Sequence, residues 1–260
     1  MTIINLVTDK TVDTTTFTDS QISVKLSNVV AGQEYTIVSR FSNYQDLFKI
    51  LAIVDILRAN YAGNIYLYCP YILGARSDRR FQNNQSFDLK IITNILNSCN
   101  FKAVAVLDPH SDVLPALINN SEVLNALEWI QLCNYNWTDK ILVSPDAGAY
   151  KKIFHLGESL KCPVVTGNKV RLEDGSPDVV IYGDVSGKDC VIIDDICDGG
   201  RTFISLGKKL KEMGANTVTL FVTHGIFSYG TELENIDNIY TTNSYRDLPS
   251  SDKFNVINLF

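Results

Sequence analysis

Carboxylates, glycines and a hydroxyl crowd into one stretch, VIIDDICDGGRTF at residues 191–203, where Asp194 and Asp195 stand just ahead of Asp198, Gly199, Gly200, Arg201 and Thr202. Residues 190–193 form a short apolar run of buried-strand type. From Thr202 onward, Phe203, Leu206, Leu210 and Met213 recur with the spacing of one helix face. The acids and glycines therefore lie between a strand and a helix N-terminus. Such a junction binds anions, because unpaired amides and the helix dipole converge there while glycines let a phosphate approach the backbone closely. The two acids just before it suit the hydroxyls of a sugar that carries the phosphate. An ordinary βα turn with a capping Asp uses the same residue types, so the local pattern leaves both readings open.

Other stretches hold chemistry at similar junctions. PYILGARSDRR, residues 70–80, follows a strand-like run and contains Arg76, Asp78, Arg79 and Arg80, the densest basic cluster in the chain. Guanidinium forks suit triphosphate oxygens, although scattered solvated arginines look the same. Residues 103–107 form an apolar run that leads into Asp108, His110 and Asp112, the strand end at which open α/β sheets place ligands. Asp146 follows another such run, where a turn Asp before a helix is nearly as good a reading. Lys169 and Arg171 sit in the polar residues 167–178, a segment expected to be a lid loop whose two cations could stabilise charge on a transferring group. Ordinary solubilising charge is the usual reading of two such bases on an exposed loop.

The elements that must position these groups read as follows. Residues 3–7, 22–26, 35–39 and 64–68 are strands, residues 11–16 a Thr-rich loop, and residues 44–59 a helix so apolar around its circumference that burial on nearly every side is expected. Residues 86–98 are helical and residues 121–136 link two halves of similar plan, each with an apolar strand ending in acids and a loop. The expected fold is α/β, two doubly wound parallel-sheet domains related by duplication, spanning residues 1–138 and 139–260. At 45% hydrophobic residues the 260-residue chain has ample material for such cores. A net charge of -6 argues against nucleic-acid and anionic-membrane binding but leaves room for a local cationic pocket. Six dispersed cysteines without a CxxC pair suggest neither a zinc site nor a disulfide framework and fit a reducing cytosol. The most apolar run, residues 50–57, is too short to cross a bilayer and contains Asp55, so the protein is expected to be cytoplasmic.

DDICDGGRT resembles the D-D-x-x-D-T-G-G-T loop of the type I phosphoribosyltransferase fold. GANTVTLFVTHGIFS, PYILGARSDRR, VLDPHSD, VSPDAGA and VIYGDVSGKDCVIIDD match blocks of the ribose-phosphate pyrophosphokinases, the phosphoribosyl pyrophosphate (PRPP) synthetases, in the order of that family. The resemblance implies a Mg-ATP-dependent transfer of pyrophosphate to the anomeric hydroxyl of a ribose 5-phosphate unit, with release of AMP. It further implies that Asp194 and Asp195 hold the ribose hydroxyls and that residues 198–202 hold the 5-phosphate. His110 and Asp146 are implied at the metal and the ATP phosphates, with Lys169, Arg171, His110 and Asp198 as the catalytic set. Phe17, Asp19 and Gln21 match an F-x-D-x-E segment that reaches the ATP site of a neighbouring subunit, with Gln in place of Glu; Arg76 and Asp78 fall in the block that reads A-R-Q-D in the family. A homo-oligomer, a dimer or larger, is expected. The loop departs from the family by losing its first Thr and by carrying Arg201 where the family has Gly. A terminal phosphate needs small residues around it, whereas a diphosphate that continues outward suits an Arg. The favoured acceptor is therefore ADP-ribose, as in a branch with many phage members that rebuilds NAD+. Ribose 5-phosphate is the alternative, and a non-catalytic homologue or a PRPP-consuming transferase stays open.

Overall fold

The computed structural model describes residues 1–8, 12–171 and 177–260. It divides into two compact units, Met1–Asn125 with Ser244–Arg246 and Phe260, and Ala126–Asn243 with Asp247–Leu259.

The first unit contains β1 (Thr2–Asn5), β2 (Val12–Thr16), β3 (Ile22–Leu26), β4 (Tyr35–Val38), α1 (Tyr44–Ala59), β5 (Ile65–Tyr68), α2 (Asp88–Ser98), β6 (Val104–Leu107), α3 (Val113–Leu117) and β7 (Ser121–Leu124). Five strands form a sheet in the order β1-β4-β5-β6-β7, every pair parallel. Its core is Ile4, Ile37, Leu67 and Val106 from the strands, closed by Leu47, Ile50, Ile53, Val54 and Leu57 of α1 and Leu89, Ile92 and Leu96 of α2. α1 starts at a capping box in which the Asn43 side chain accepts from Asp46 N–H while the Asp46 carboxylate accepts from Asn43 N–H.

Three expectations are corrected here. Residues 12–16 are a strand, not a loop: β2 pairs antiparallel with β3 along its length, because a run of β-branched threonines suits extended backbone. α1 is not buried all round. One face is sealed, Leu51 and Ile56 are half-buried and Phe48 is exposed, since the helix lies against its sheet on one side and β3 covers only part of the rest. Residues 121–136 are not a bare link, since they supply the edge strand β7 and a short helix.

The second unit contains α4 (Ala126–Ile130), β8 (Lys140–Ser144), α5 (Tyr150–Leu160), β9 (Val164–Arg171), β10 (Pro177–Tyr182), β11 (Asp189–Cys197), α6 (Arg201–Glu212), β12 (Thr217–Gly225), β13 (Asn238–Thr242) and β14 (Phe254–Ile257). Its seven strands run in the order β10-β9-β8-β11-β12-β13-β14, parallel except for the antiparallel β9–β10 pair at one edge. The unit begins at Ala126, earlier than the boundary near residue 138, because Trp129 is buried in it and its Nε1 donates to Thr223 Oγ1 at 2.9 Å. The loop expected at residues 167–178 is also corrected: β9 continues to Arg171 and β10 starts at Pro177, with Lys169 opposite Val179 and Arg171 opposite Pro177. Ladder hydrogen bonds form whatever the side chains. Residues 172–176 lie outside the described residues.

At the N-terminal end of this sheet, Lys140 Nζ donates to Asp189 Oδ2 at 2.8 Å while Asn216 and Thr217 both donate to Oδ1 at 2.8 Å. Lys140, followed by Thr217, holds the Asp189 carboxyl down at about 2. A lowered folded-state pKa contributes stability that is present above the unfolded value near 4 and lost as pH falls toward 2. Asp189→Ala is expected to destabilise the fold by about 1–3 kcal/mol at pH 7, with the gap to wild type closing below pH 4; denaturant melts across that range measure it.

Candidate active site

The strand order of the second sheet reverses once. From β8 the chain winds outward through β9 and β10, then returns to β11 on the other side of β8 and continues through β12, β13 and β14. At such a switch point the loops after the two central strands diverge and leave a crevice beyond the strand C-termini, where open α/β sheets bind ligands. The loop after β8 carries Asp146 and the loop after β11 carries residues 198–200.

β11 is longer than its apolar run predicts. It passes through Asp194 and Asp195 to Cys197, because β12 pairs with it as far as Cys197 opposite Gly225. The two acids are therefore held by a paired strand, not by a loop. Asp195 is buried and Asp194 half-buried, and Asp195 N–H donates to Asp194 Oδ1 at 2.9 Å. Burial, then the neighbouring Asp195 carboxylate, pushes the Asp194 carboxyl well above the ordinary range, with Lys152 of α5 opposing in part. Lys152 belongs to the helix that follows Asp146, so both sides of the switch point bear on the pair.

Beyond Cys197 the chain turns through Asp198 and Gly199 into α6. Gly200, with φ of 73°, is the N-cap and places Arg201 and Thr202 in the first helical turn. Arg201 is thus an exposed helix residue, and not a loop residue as its alignment position implies. No acid occupies that first turn, so the amide-rich end of the helix is left for an anion from outside. The segment after β12 folds over the loop. Ile226 and Phe227 N–H both donate to Cys197 O, Ser228 N–H donates to Asp198 O at 3.1 Å, and Ser228 Oγ donates to Asp198 Oδ1 at 2.7 Å. Gly200 is required for this closure, because its positive φ favours glycine. A first side-chain carbon at Gly199 would lie 2.9 Å from Tyr229 Cε2, and one at Gly200 2.5 Å from Leu233 Cδ2. Tyr229 and Leu233 carry no signal in the sequence that ties them to residues 199 and 200; only the β11–β12 pairing brings them there.

Asp146 is half-buried, and its Oδ1 accepts from Ala149 N–H at 3.0 Å, which shapes the turn into α5. One carboxylate oxygen is engaged in this way. Oxygen ligands suit magnesium, which keeps much of its water and is commonly held by one or two carboxylates together with substrate phosphates. No cluster of three or more His, Cys, Asp or Glu side chains able to hold a metal occurs among the described residues.

In the first unit, Asp108 ends β6, buried and in a left-handed conformation (φ 47°) that non-glycine residues seldom adopt. His110 follows on the surface. Asp78, at the end of the loop after β5, is buried and accepts from Arg79 Nε and Nη2 at 2.7 and 2.9 Å. Arg79 first, then Ser111 and His110, holds the Asp78 carboxyl down at about 2 despite its burial, which brings the two strand-end loops of this sheet together. Arg79 is therefore occupied within the loop, Arg80 Nε donates to Gln85 O at 3.1 Å, and Arg76 is exposed. Phe17, Asp19 and Gln21 form the tip of the β2–β3 ribbon, with Gln21 N–H donating to Asp19 Oδ1 and the Phe17 ring half in solvent. That ribbon is a sheet of its own, so these residues do not share an element with Arg76, Asp78 or His110. Lys169 and Arg171 lie on β9.

A two-unit α/β protein with an acidic strand end, a glycine loop and a helix start at a switch point is built to bind phosphorylated ligands. The comparisons with known proteins agree with that class. Residues 5–99 match the N-terminal domain of ribose phosphate pyrophosphokinase, and residues 158–250 match the phosphoribosyl synthetase-associated domain. The ribose-phosphate pyrophosphokinase of Agrobacterium fabrum is 31% identical over 221 residues, covering 82% of this chain and 71% of the relative. That of Thermosipho africanus is 29% identical over 256 residues, covering 94% and 81%. The phosphoribosylpyrophosphate synthetase of Mycobacterium smegmatis has the same fold, with a TM-score of 0.81 at 22% identity over 95% of this chain and 86% of that one. The chain belongs to the ribose-phosphate pyrophosphokinase family, and it is a diphosphotransferase of that kind. Among the described residues no helix is long and apolar enough to cross a membrane.

The raised pKa of Asp194 has a measurable sign. Its folded-state value lies above its unfolded one, so its contribution to stability is present in full below pH 4 and is lost as pH rises through the folded value. Asp194→Asn is expected to raise the melting temperature of the ligand-free protein at pH 7–8, with the advantage disappearing toward pH 4. An unchanged or lower melting temperature at pH 8 would contradict the assigned environment.

Proposed function

We propose that the protein transfers the β,γ-pyrophosphoryl group of Mg-ATP to the anomeric hydroxyl of ribose 5-phosphate, giving PRPP and AMP. The observation that carries this reading is the β11–α6 junction, acids on a paired strand followed by a glycine loop and an unneutralised helix start, in a chain of this family. The anomeric oxygen attacks the β-phosphorus, the bond from that phosphorus to the oxygen bridging the α-phosphate breaks, AMP leaves with that oxygen, and the hydroxyl proton passes to solvent. Phosphoryl transfer asks a protein chiefly for positioning and charge. Asp194 and Asp195 hold the ribose hydroxyls, and the amides and side chains of residues 198–202 the 5-phosphate. Arg76, Asp78 and His110 serve the nucleotide, with Asp146 toward the metal, which neutralises phosphate charge when bound; an imidazole is a better partner for phosphate oxygen than for magnesium. Phe17, Asp19 and Gln21, at an exposed ribbon tip, serve the ATP site of a second copy in a homo-oligomer. Lys169 and Arg171 act on the transferring group.

The relatives are ribose-phosphate pyrophosphokinases by name, which supports ribose 5-phosphate over the ADP-ribose expected from the loop sequence. ADP-ribose remains as a second reading on one observation, the exposed Arg201 at the mouth of the loop. Incubation with Mg-ATP and each acceptor in turn, followed by chromatography, is expected to show AMP appearing in step with acceptor loss. ADP appearing in its place would refute pyrophosphoryl transfer.

Lys169→Ala and Arg171→Ala are each expected to lower kcat by about 10²-fold or more, since a donor that acts on transition-state charge has that scale of effect. Melting temperatures should stay near wild type, because both residues lie on an edge ribbon. Near-normal turnover in both variants would remove them from the catalytic set.

A further inference from the structure

Asp198 stands two residues ahead of the Gly200 N-cap, and an Asp in that place can accept from the amides of the turn that follows. Such a contact would put a carboxylate where a phosphate has to sit, and like charges close together repel strongly where water is sparse. Ser228 directs the carboxylate elsewhere. Its Oγ donates to Asp198 Oδ1 at 2.7 Å, the length of a hydroxyl bonded to an ionised acid, and its N–H donates to Asp198 O at 3.1 Å. Backbone and carboxylate of Asp198 are thus both drawn to the turn after β12. That turn is held from below. β12 stays paired with β11 as far as Gly225, where a side-chain carbon would lie 2.5 Å from Phe227 Cε2. Ile226 and Phe227 N–H anchor on Cys197 O, and the buried Phe227 ring meets the Phe254 ring edge-on with centroids 5.2 Å apart. Phe227 keeps a left-handed backbone, φ 46°, which a bulky residue holds only where its surroundings over-determine it. Ser228 is itself exposed, so the core-anchored Phe227 ahead of it is what places the hydroxyl.

We propose that Ser228 is a positioning residue for acceptor binding: it holds the Asp198 carboxylate toward the turn after β12, so that the amides at the start of α6 are left to the phosphate. The inference rests on the reading that residues 198–202 hold the 5-phosphate, and it divides the work among them. The amides and the Thr202 hydroxyl receive the anion, while Asp198 keeps its charge on the side of Ser228. Without the hydroxyl the carboxylate can turn back toward the amides of the loop and compete with the phosphate. The loss then falls on acceptor affinity and not on the transfer step, because the groups that serve the nucleotide and the transferring phosphate are untouched.

The test measures equilibrium binding of ribose 5-phosphate, kcat and KM at saturating Mg-ATP, and melting temperature in wild type, Ser228→Ala and Ser228→Thr. Binding is also measured in Asp198→Asn with and without Ser228→Ala. Ser228→Ala is expected to weaken binding and raise KM about 10-fold, the scale of a hydrogen bond to a charged group, with kcat and melting temperature near wild type. Ser228→Thr, which keeps the hydroxyl, should bind as wild type does. Asp198→Asn should still bind, and adding Ser228→Ala to it should change affinity by less than about twofold, since no charge is left to turn aside. Unchanged binding in Ser228→Ala overturns the proposal, as does an equal loss in the Asp198→Asn background. An Asp198→Asn protein that no longer binds the sugar phosphate overturns it as well, because the charge would then be a requirement and not a liability. If no acceptor yields AMP but the binding pattern holds, the positioning role stands and the pyrophosphoryl reading falls. AMP release without the binding pattern gives the opposite result, and a wild type that does not bind ribose 5-phosphate overturns both.

Discussion

Two adjacent carboxylates on the central strand of a seven-stranded sheet set the terms for the rest of the second unit. Asp194 and Asp195 lie side by side where β11 is paired with β12, and burial together with the neighbouring Asp195 carboxylate disfavours ionisation of Asp194. An isolated apolar strand end would be more stable. The pair is held because β8 and β12 flank β11, and Val191, Ile192 and Ile193 are wholly buried in the core beneath it. The strain is thus borne by packing below the site. A ligand that offers hydroxyl donors to both acids lowers the cost of their charge, so binding and acid ionisation favour one another.

The same economy of position governs the phosphate loop. At Gly200 a positive φ and the buried Leu233 leave no place for a side chain, while Gly199 lies against the exposed ring of Tyr229. The turn after β12 holds Asp198 through Ser228 and so fixes the entry of α6. The first turn of α6 holds no acid, and Arg201 is exposed there. Polar anchors at the far end of the sheet are of a different kind: the Lys140–Asp189 pair, with Asn216 and Thr217, ties β8, β11 and the start of β12 together without approaching the ligand side.

The first unit follows the same rule with different means. Asp78 is kept ionised by Arg79, and its neighbours Ser111 and His110 belong to the loop after β6. The charge pair itself lies within the loop after β5, and Arg76 and His110 are on the surface. The arginine-rich stretch therefore divides between an internal brace and an outward group, a division that the residue types do not announce.

Much of this was legible in the residues themselves. Apolar runs of strand length, the helical periodicity of residues 44–59 and 203–213, and the D-D-x-x-D-G-G segment follow from side-chain burial and backbone preference, which act locally. They mark the α/β class, the strand ends and the family. Long-range pairing decided the rest. β11 extends through its acids because β12 supplies hydrogen-bond partners as far as Gly225, β9 continues past its apolar residues because β10 pairs with it, and the threonines of β2 are extended because β3 lies alongside. α1 shows only one sealed face because the extent of burial depends on what packs against a helix, not on its own composition. Residues 199 and 229 are distant in sequence and meet only through adjacent parallel strands. A glycine signals that a side chain is not tolerated, whereas the residue that fills its space is determined by the tertiary structure alone.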